Sequence, residues 1–201
     1  LNTYGATKLL MEKLFITALR YSNPEKHRTK FFAVRYGNVF GSSGSVIPKF
    51  IELSKNNKKI TMTDPNMTRF NITMDKALDF ILKATEEGRG TEIFIPKLKS
   101  YVLSDVKHAI DELIHETNEE KIGIRPGEKL HETLINQDEI LNTFEFKDMY
   151  LILDPQYNII EMEKNYHGIK KLENMEKYSS DSAERLSVEE LKDLIQKSDL
   201  L

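Results

Sequence analysis

The chain contains no cysteine. That excludes a disulfide scaffold, a thiolate zinc site and a cysteine nucleophile within its 201 residues. No apolar run approaches the ~20 residues of a bilayer span, so no segment reads as a membrane helix. Positive charge is not in excess. Lysine plus arginine number 29 against 32 acidic residues, and the net charge of −3 argues against a nucleic-acid binder held by bulk electrostatics. There is no internal repeat and no low-complexity stretch. The opening Leu-Asn-Thr-Tyr carries neither an initiator methionine nor a targeting pattern. Helical periodicity begins almost at once, which reads as a segment of a longer chain with further sequence upstream. Hydrophobic residues make up 39%, enough to argue against disorder.

Periodicity places the elements. Leu9, Leu10, Leu14, Phe15, Ala18 and Leu19 recur near 3.6 residues and predict a helix over 4–21, stopped by Asn23 and Pro24. Phe31 to Val34 form a short apolar run of the buried type found in parallel sheets. Glycines at 37, 41 and 44 follow, and a helix is expected over 46–54. A solvated basic turn, Lys55 to Lys59, leads to a strand over 60–63. Thr73 caps a helix over 74–86, and Ile93 to Ile95 make a strand. Ser104 or Asp105 caps a further helix to about Glu116. A strand over 121–124, a short helix over 129–135 and a strand over 144–153 come next. Residues 156–182 read as an extended polar surface segment, and Ser187 caps a terminal helix over 188–194. Alternating strands and helices make the class α/β. Phe31, Phe32, Phe80 and Phe94 are assigned to the core.

Tyr4 and Lys8 carry the sharpest chemical signal. At i and i+4 they project from one helix face. A phenol with a pKa of ~10 is a poor base at neutral pH. An ammonium one turn away favours the phenolate, which turns the pair into an acid/base for a sugar hydroxyl. The plain alternative is an ordinary surface pair. His108 and His115 have no third ligand at zinc-like spacing, so no metal is expected. His131 reads as a supporting residue rather than an acid/base, and His27 and His167 suggest nothing.

Context adds to this signal. Tyr4-Gly5-Ala6-Thr7-Lys8, then Glu12, then Arg35-Tyr36-Gly37-Asn38-Val39 resembles the extended short-chain dehydrogenase/reductase superfamily. Met67-Thr68-Arg69-Phe70 and the block from Gly123 through Arg125-Pro126-Gly127-Glu128-Lys129 to Glu132 resemble its nucleotide-sugar 4,6-dehydratases of polysaccharide biosynthesis. The nearest group is the inverting UDP-N-acetylglucosamine 4,6-dehydratases. The resemblance runs over residues 1–153. Less specifically, Tyr178 to Asp181 and Leu186 to Leu191 look like the tail of the broader group.

The resemblance implies the C-terminal part of a Rossmann-like parallel-sheet domain interleaved with a small substrate-binding lobe. Residues 1–41 and 76–95 would belong to the former, 42–75 and 96–153 to the latter, and 154–201 would be a C-terminal extension with a terminal helix. It implies Tyr4 as the catalytic tyrosine and Lys8 as the lysine on the cofactor ribose. Tyr36, Gly37, Asn38 and Val39 would line the junction of nicotinamide and sugar, with Asn38 donating to a substrate phosphate. Val46, Pro48 and Phe50 would open the uridine pocket. Arg69 and Arg125 would hold the pyrophosphate, and Glu128 the uridine ribose. Those residue types suit a diphosphate, which arginine clamps with several donors at once. Two plainer readings stand beside them. Arg69 could be a surface cation packed on Phe70, and Pro126-Gly127 a bare turn closed by an Arg125–Glu128 salt bridge.

The implied cofactor is NADP, with NAD as the other option, and the implied partner is a UDP-sugar. No nucleic acid or membrane partner is expected for this segment, a homo-oligomer is expected for the full-length protein, and the implied location is cytoplasmic. The implied reaction oxidises C4, loses water across C5 and C6, and returns hydride to C6. A G-x-G-x-x-G fingerprint and the group's Asp-Lys pair, both absent here, are expected upstream of Tyr4. Without them this segment is expected to be inactive and marginally folded, with an open apolar sheet edge. A 4-epimerase of the same superfamily and a non-catalytic UDP-sugar-binding remnant are the alternatives.

Overall fold

The computed structural model describes residues 3–21, 29–155, 159–198 and 200–201. In chain order the elements are α1 (Thr3–Tyr21), β1 (Ala33–Val34), β2 (Asn38–Val39), α2 (Val46–Lys55), β3 (Ile60–Met62), β4 (Thr68–Ile72), α3 (Met74–Glu87), β5 (Ile93–Pro96) and β6 (Ser100–Val102). They continue with α4 (Leu103–Leu113), β7 (Glu119–Lys121), β8 (Thr133–Ile135), α5 (Gln137–Ile140), β9 (Thr143–Phe146), β10 (Met149–Ile152), α6 (Ile159–Asn165), β11 (Lys170–Lys171), β12 (Tyr178–Ser179) and α7 (Val188–Lys197). The class is α/β. The residues group into two units, one of 1–36, 78–97 and 134–178, the other of 37–77, 98–133 and 179–201.

The first unit is built on a mixed sheet of order β1-β5-β10-β9-β11. Its apolar run Ile93-Phe94-Ile95 is buried at every position, as a strand covered on both faces requires. β1 pairs with β5 in parallel, Ala33 opposite Ile93. β10 pairs with β5, and β9 with β10, in antiparallel fashion. Phe94, Met149, Leu151 and Phe146 from the strands meet Phe80 and Ala84 of α3 and Tyr166 in one core. Phe94 and Phe80 are buried as expected, whereas Phe31 and Phe32 are only half-buried.

The second unit holds two small sheets. β2 pairs with β4 in parallel and β4 with β6 antiparallel, while β3 pairs with β7 in parallel. β4 alternates strictly, with Thr68, Phe70 and Ile72 buried. Its core joins Ile47, Phe50 and Ile51 of α2, Val106, Ala109 and Ile110 of α4, and Leu191 and Ile195 of α7. Thr73 does cap α3, accepting from the Lys76 amide at 3.4 Å. Ser187 does cap α7, in a reciprocal box with Glu190.

Several expectations fall to tertiary contacts. α4 begins at Leu103, ahead of Ser104, because β6 runs straight into it and Pro65 and Met67 carbonyls take its first amides. The expected strand over 121–124 sits earlier, at β7, where pairing with β3 is available. The expected helix over 129–135 is absent. The Lys129 and Leu130 carbonyls accept from Arg69, that of Leu130 also from the Thr68 amide, and the Glu132 carbonyl accepts from the Ser180 amide while its own amide donates to the Ser180 hydroxyl, instead of bonding within a helical turn. The strand over 144–153 is a hairpin, folded at Lys147, which takes a positive φ of 53°. The segment 156–182 is not simply extended surface, since α6 lies within it and Met162 and Tyr166 are buried. Its first residues, 156–158, and the helix stop at Asn23 and Pro24, lie outside the described residues, as does His27.

The unit boundaries also differ from those expected. Residues 134–153 belong with the first unit, because β10 hydrogen-bonds to β5. Residues 179–201 belong with the second, because Leu191 and Ile195 complete its core. Among the described residues no helix is long and apolar enough to cross a membrane.

Candidate functional site

In the first unit, α1 presents Tyr4 and Lys8 together. The Lys8 ammonium lies 5.4 Å from the centre of the Tyr4 ring, within cation–π range. Tyr4 is 70% exposed and Lys8 is exposed, so both can reach a ligand. Tyr36 follows β1 in the same unit and is half-buried.

The remaining predicted residues lie in the second unit. Gly37 precedes β2, which carries Asn38 and Val39. A Cβ at Gly37 would stand 2.3 Å from Phe70 Cβ, so glycine is needed here for the approach of two backbones. Asn38 is exposed and stands opposite Asn71 in register, whose buried side-chain oxygen has no partner among the described residues. Val46 and Pro48 open α2 and are half-buried. Phe50, expected to line a pocket, is 1% exposed and packs in the core. Its position on the inner face of an amphipathic helix accounts for that.

Arg69 is not a free surface cation. Its guanidinium donates to the Thr68, Leu130 and Lys129 carbonyls at 2.7, 3.1 and 2.9 Å, and to the Met67 sulfur. It also lies 3.6 Å from Glu132. These contacts hold residues 129–132 against β4. Phe70 is fully buried, so the surface stacking alternative does not apply. Burial raises the Glu132 carboxyl above the usual carboxylate range, opposed by the neighbouring Arg69 charge. The same surroundings push the Tyr101 phenol up, with desolvation the largest cause.

Arg125 to Glu128 form a tight turn, the Glu128 amide donating to the Arg125 carbonyl at 3.0 Å. Proline and glycine at its centre, with Gly127 at φ 81°, give a type II turn. Arg125 is exposed and Glu128 half-buried, with the Glu128 carboxylate facing the Arg125 amide at 3.4 Å. His131 accepts or donates at 2.8 Å to Thr68, whose hydroxyl also meets Ser180 at 2.7 Å. That buried polar cluster ties the tail motif to β4, and His131 bonds to it from a segment that is not helical. Among the described residues no group of three or more His, Cys, Asp or Glu could hold a metal ion.

Sequence reasoning missed one cluster altogether. Arg35 donates to Glu12 from Nε at 2.9 Å and from Nη2 at 2.7 Å. It donates to Glu139 at 2.9 and 3.0 Å and to the Leu134 carbonyl at 2.6 Å. Arg35 and Glu12 both fall inside the motifs above, but Glu139 lies about a hundred residues away, where Asn136-x-x-Glu139 marks it only as part of a helix cap.

Comparison with known proteins gives the family. The family model "Polysaccharide biosynthesis protein" matches residues 1–154. An inverting UDP-N-acetylglucosamine 4,6-dehydratase of Campylobacter jejuni is 39% identical over 203 residues, 96% of this chain and 59% of its own length. A UDP-glucose 4-epimerase of Rickettsia massiliae is 35% identical over 97% of this chain and 57% of its own. The X-ray structure of Pen from Bacillus thuringiensis superposes with a TM-score of 0.83 at 40% identity, over all of this chain and 58% of that one. A dTDP-glucose 4,6-dehydratase of Bacillus anthracis, solved with NAD, gives 0.54 at 15% identity, over 62% of this chain and 41% of that one, a likeness of fold. The chain thus spans little more than half the length of its curated relatives.

The fold and the Tyr-x-x-x-Lys helix define the class, an α/β protein of the extended short-chain dehydrogenase/reductase type. Within that class, the chain belongs to the polysaccharide biosynthesis protein family.

Proposed function

We propose that this chain forms part of a UDP-N-acetylglucosamine 4,6-dehydratase that works with a nicotinamide cofactor, NADP before NAD. The observation that carries the reading is the Tyr4–Lys8 pair, exposed and mutually in contact on one face of α1. Relatives at 39% and 41% identity named as the inverting dehydratase support the substrate and the outcome at C5.

In this reading Tyr4 accepts the proton of the sugar C4 hydroxyl. Lys8, beside the Tyr4 ring, donates to a ribose hydroxyl. Bound nicotinamide would supply the hydride acceptor that makes C4 a ketone and later returns hydride to C6. Arg125 offers a guanidinium to the pyrophosphate and Glu128 accepts from the uridine ribose. Arg69, with its donors on carbonyls 129 and 130, presents the Arg125–Glu128 turn and adds charge beside it. Asn38 donates to a phosphate, and Val46 and Pro48 flank the uracil. Tyr36, Gly37 and Val39 approach the nicotinamide–sugar junction. A homo-oligomer of the full-length protein belongs to the same proposal.

The test is the full-length protein with NADP and UDP-N-acetylglucosamine, followed by mass spectrometry. Loss of 18 mass units supports a dehydratase. Unchanged mass with a C4-inverted sugar would favour the second reading, a 4-epimerase, which relatives at 35% identity bearing that name bring forward. Binding of UDP without any product would leave a sugar-nucleotide binding protein. In the dehydratase, Tyr4→Phe abolishes hydride transfer and leaves UDP-sugar binding nearly unchanged.

A further inference from the structure

We infer that Arg35 is the positioning residue for the Tyr4–Lys8 pair, acting through Glu12 and locked from behind by Glu139. The inference rests on the proposed role of that pair. Tyr4, Lys8 and Glu12 follow at intervals of four along α1, so they share one face. On that helix Leu9, Leu10, Met11, Leu14 and Phe15 are exposed, whereas the Glu12 side chain is only 12% exposed. Glu12 is therefore a point at which this face is seated. A tilted ring contact of Phe15 with Phe31, centroids 6.1 Å apart, adds to it.

The link has the geometry of a clamp. A guanidinium carries five N–H donors in a rigid fork, and all are used by Arg35. Glu12 is held side-on through Nε and Nη2, and Glu139 end-on through Nη1 and Nη2. Paired parallel bonds fix rotation as well as distance. Both other ends are themselves fixed. The Arg35 amide donates to the Phe94 carbonyl at 2.9 Å, extending the β1–β5 pairing. Glu139 closes a reciprocal capping box with Asn136 at the start of α5. Lys13, 3.6 Å from Glu12, is a further cation beside it. Along the helix axis Glu12 lies on the order of 12 Å from Tyr4. A tilt of about 5° there moves the phenol by roughly 1 Å, a misplacement that can cost about a hundredfold in rate. A lysine at 35 has only three donors on a point charge and cannot reproduce the double fork.

The experiment uses the full-length enzyme with its cofactor and UDP-N-acetylglucosamine. Glu12→Gln, which keeps shape, and Arg35→Lys, which keeps charge, are each expected to lower kcat ten- to a hundredfold. KM for the sugar nucleotide stays within threefold. The double variant loses no more than the worse single, since both break one link. Should Arg35→Lys fail to fold, Glu12→Asp retains the charge on a shorter arm and gives a partial loss of kcat with the same split. Unchanged kcat, a loss carried by KM, or losses that multiply would overturn the inference. If the wild-type protein proves not to be a dehydratase, the proposed function fails by that result alone. Hydrogen exchange over residues 3–18 then decides the link. Faster exchange in Glu12→Gln with residues 188–197 unaffected supports it, and unchanged exchange refutes it.

Discussion

The phenol of Tyr166 donates a 2.8 Å hydrogen bond to Glu92, and both residues are completely buried. Glu92 also accepts from the backbone amides of Gly90, at 2.8 Å, and Arg89. A carboxylate sealed in a core is tolerable only when its lone pairs are filled. Tyr166→Phe removes one donor and leaves the ring packing against Phe146 in place. The expected loss of stability is about 1–3 kcal/mol, read as a lower urea midpoint at unchanged slope. An unchanged midpoint would mean that the bond contributes nothing.

Gly37→Ala tests the close approach of β2 and β4. The new methyl would meet Phe70 Cβ at 2.3 Å and its backbone carbonyl at 3.0 Å, neither of which can swing aside. The backbones must part, at an expected cost of about 1–3 kcal/mol. A drop in thermal midpoint checks this, and full retention would show that the strands yield cheaply.

Arg69 and Arg125 should separate by readout. Arg69→Gln surrenders bonds to three carbonyls and is expected to cost about 1.5–3 kcal/mol of stability. Arg125 is exposed, so Arg125→Gln should leave the thermal midpoint alone. In the full-length protein it should weaken UDP binding roughly tenfold, about 1.4 kcal/mol. Calorimetric titration with UDP decides it. Equal stability losses for both variants would contradict the division of labour.

Stability should fall with acid through Glu139. Burial alone would raise its carboxyl pKa, but the hydrogen bond and charge of Arg35 outweigh it, and the net shift is downward. A depressed folded pKa means that the unfolded chain binds the proton first. The stabilisation is therefore complete above the ordinary glutamate value of about 4.3 and is lost as pH falls through the lower folded value. Arg35, which stays protonated, Glu12 and Lys13 are the charged groups around it. Urea unfolding at pH 7 and pH 3.5 should show a smaller difference for Glu139→Gln than for the wild type. Identical differences would place the acid sensitivity elsewhere.

Short-range rules were sufficient for much of this protein. The apolar period of α2, α3 and α7, the caps at Thr73 and Ser187, the buried run at Ile93–Ile95 and the Pro126-Gly127 turn are all set by neighbours within a few residues. So is the Tyr4–Lys8 contact, because a helix brings i and i+4 together whatever surrounds it. The rest depends on partners far away in sequence. Residues 129–132 give up a helix because Arg69 and Ser180 take their backbone bonds. Phe50 turns inward because α4 and α7 roof the same core, and residues 143–152 join the first sheet because β5 offers its edge. The Arg35 clamp is the extreme case. Glu12, Arg35 and Glu139 are ordinary charged residues in the string of letters, and folding alone brings two carboxylates to one guanidinium, where desolvation and directional bonding make them a unit.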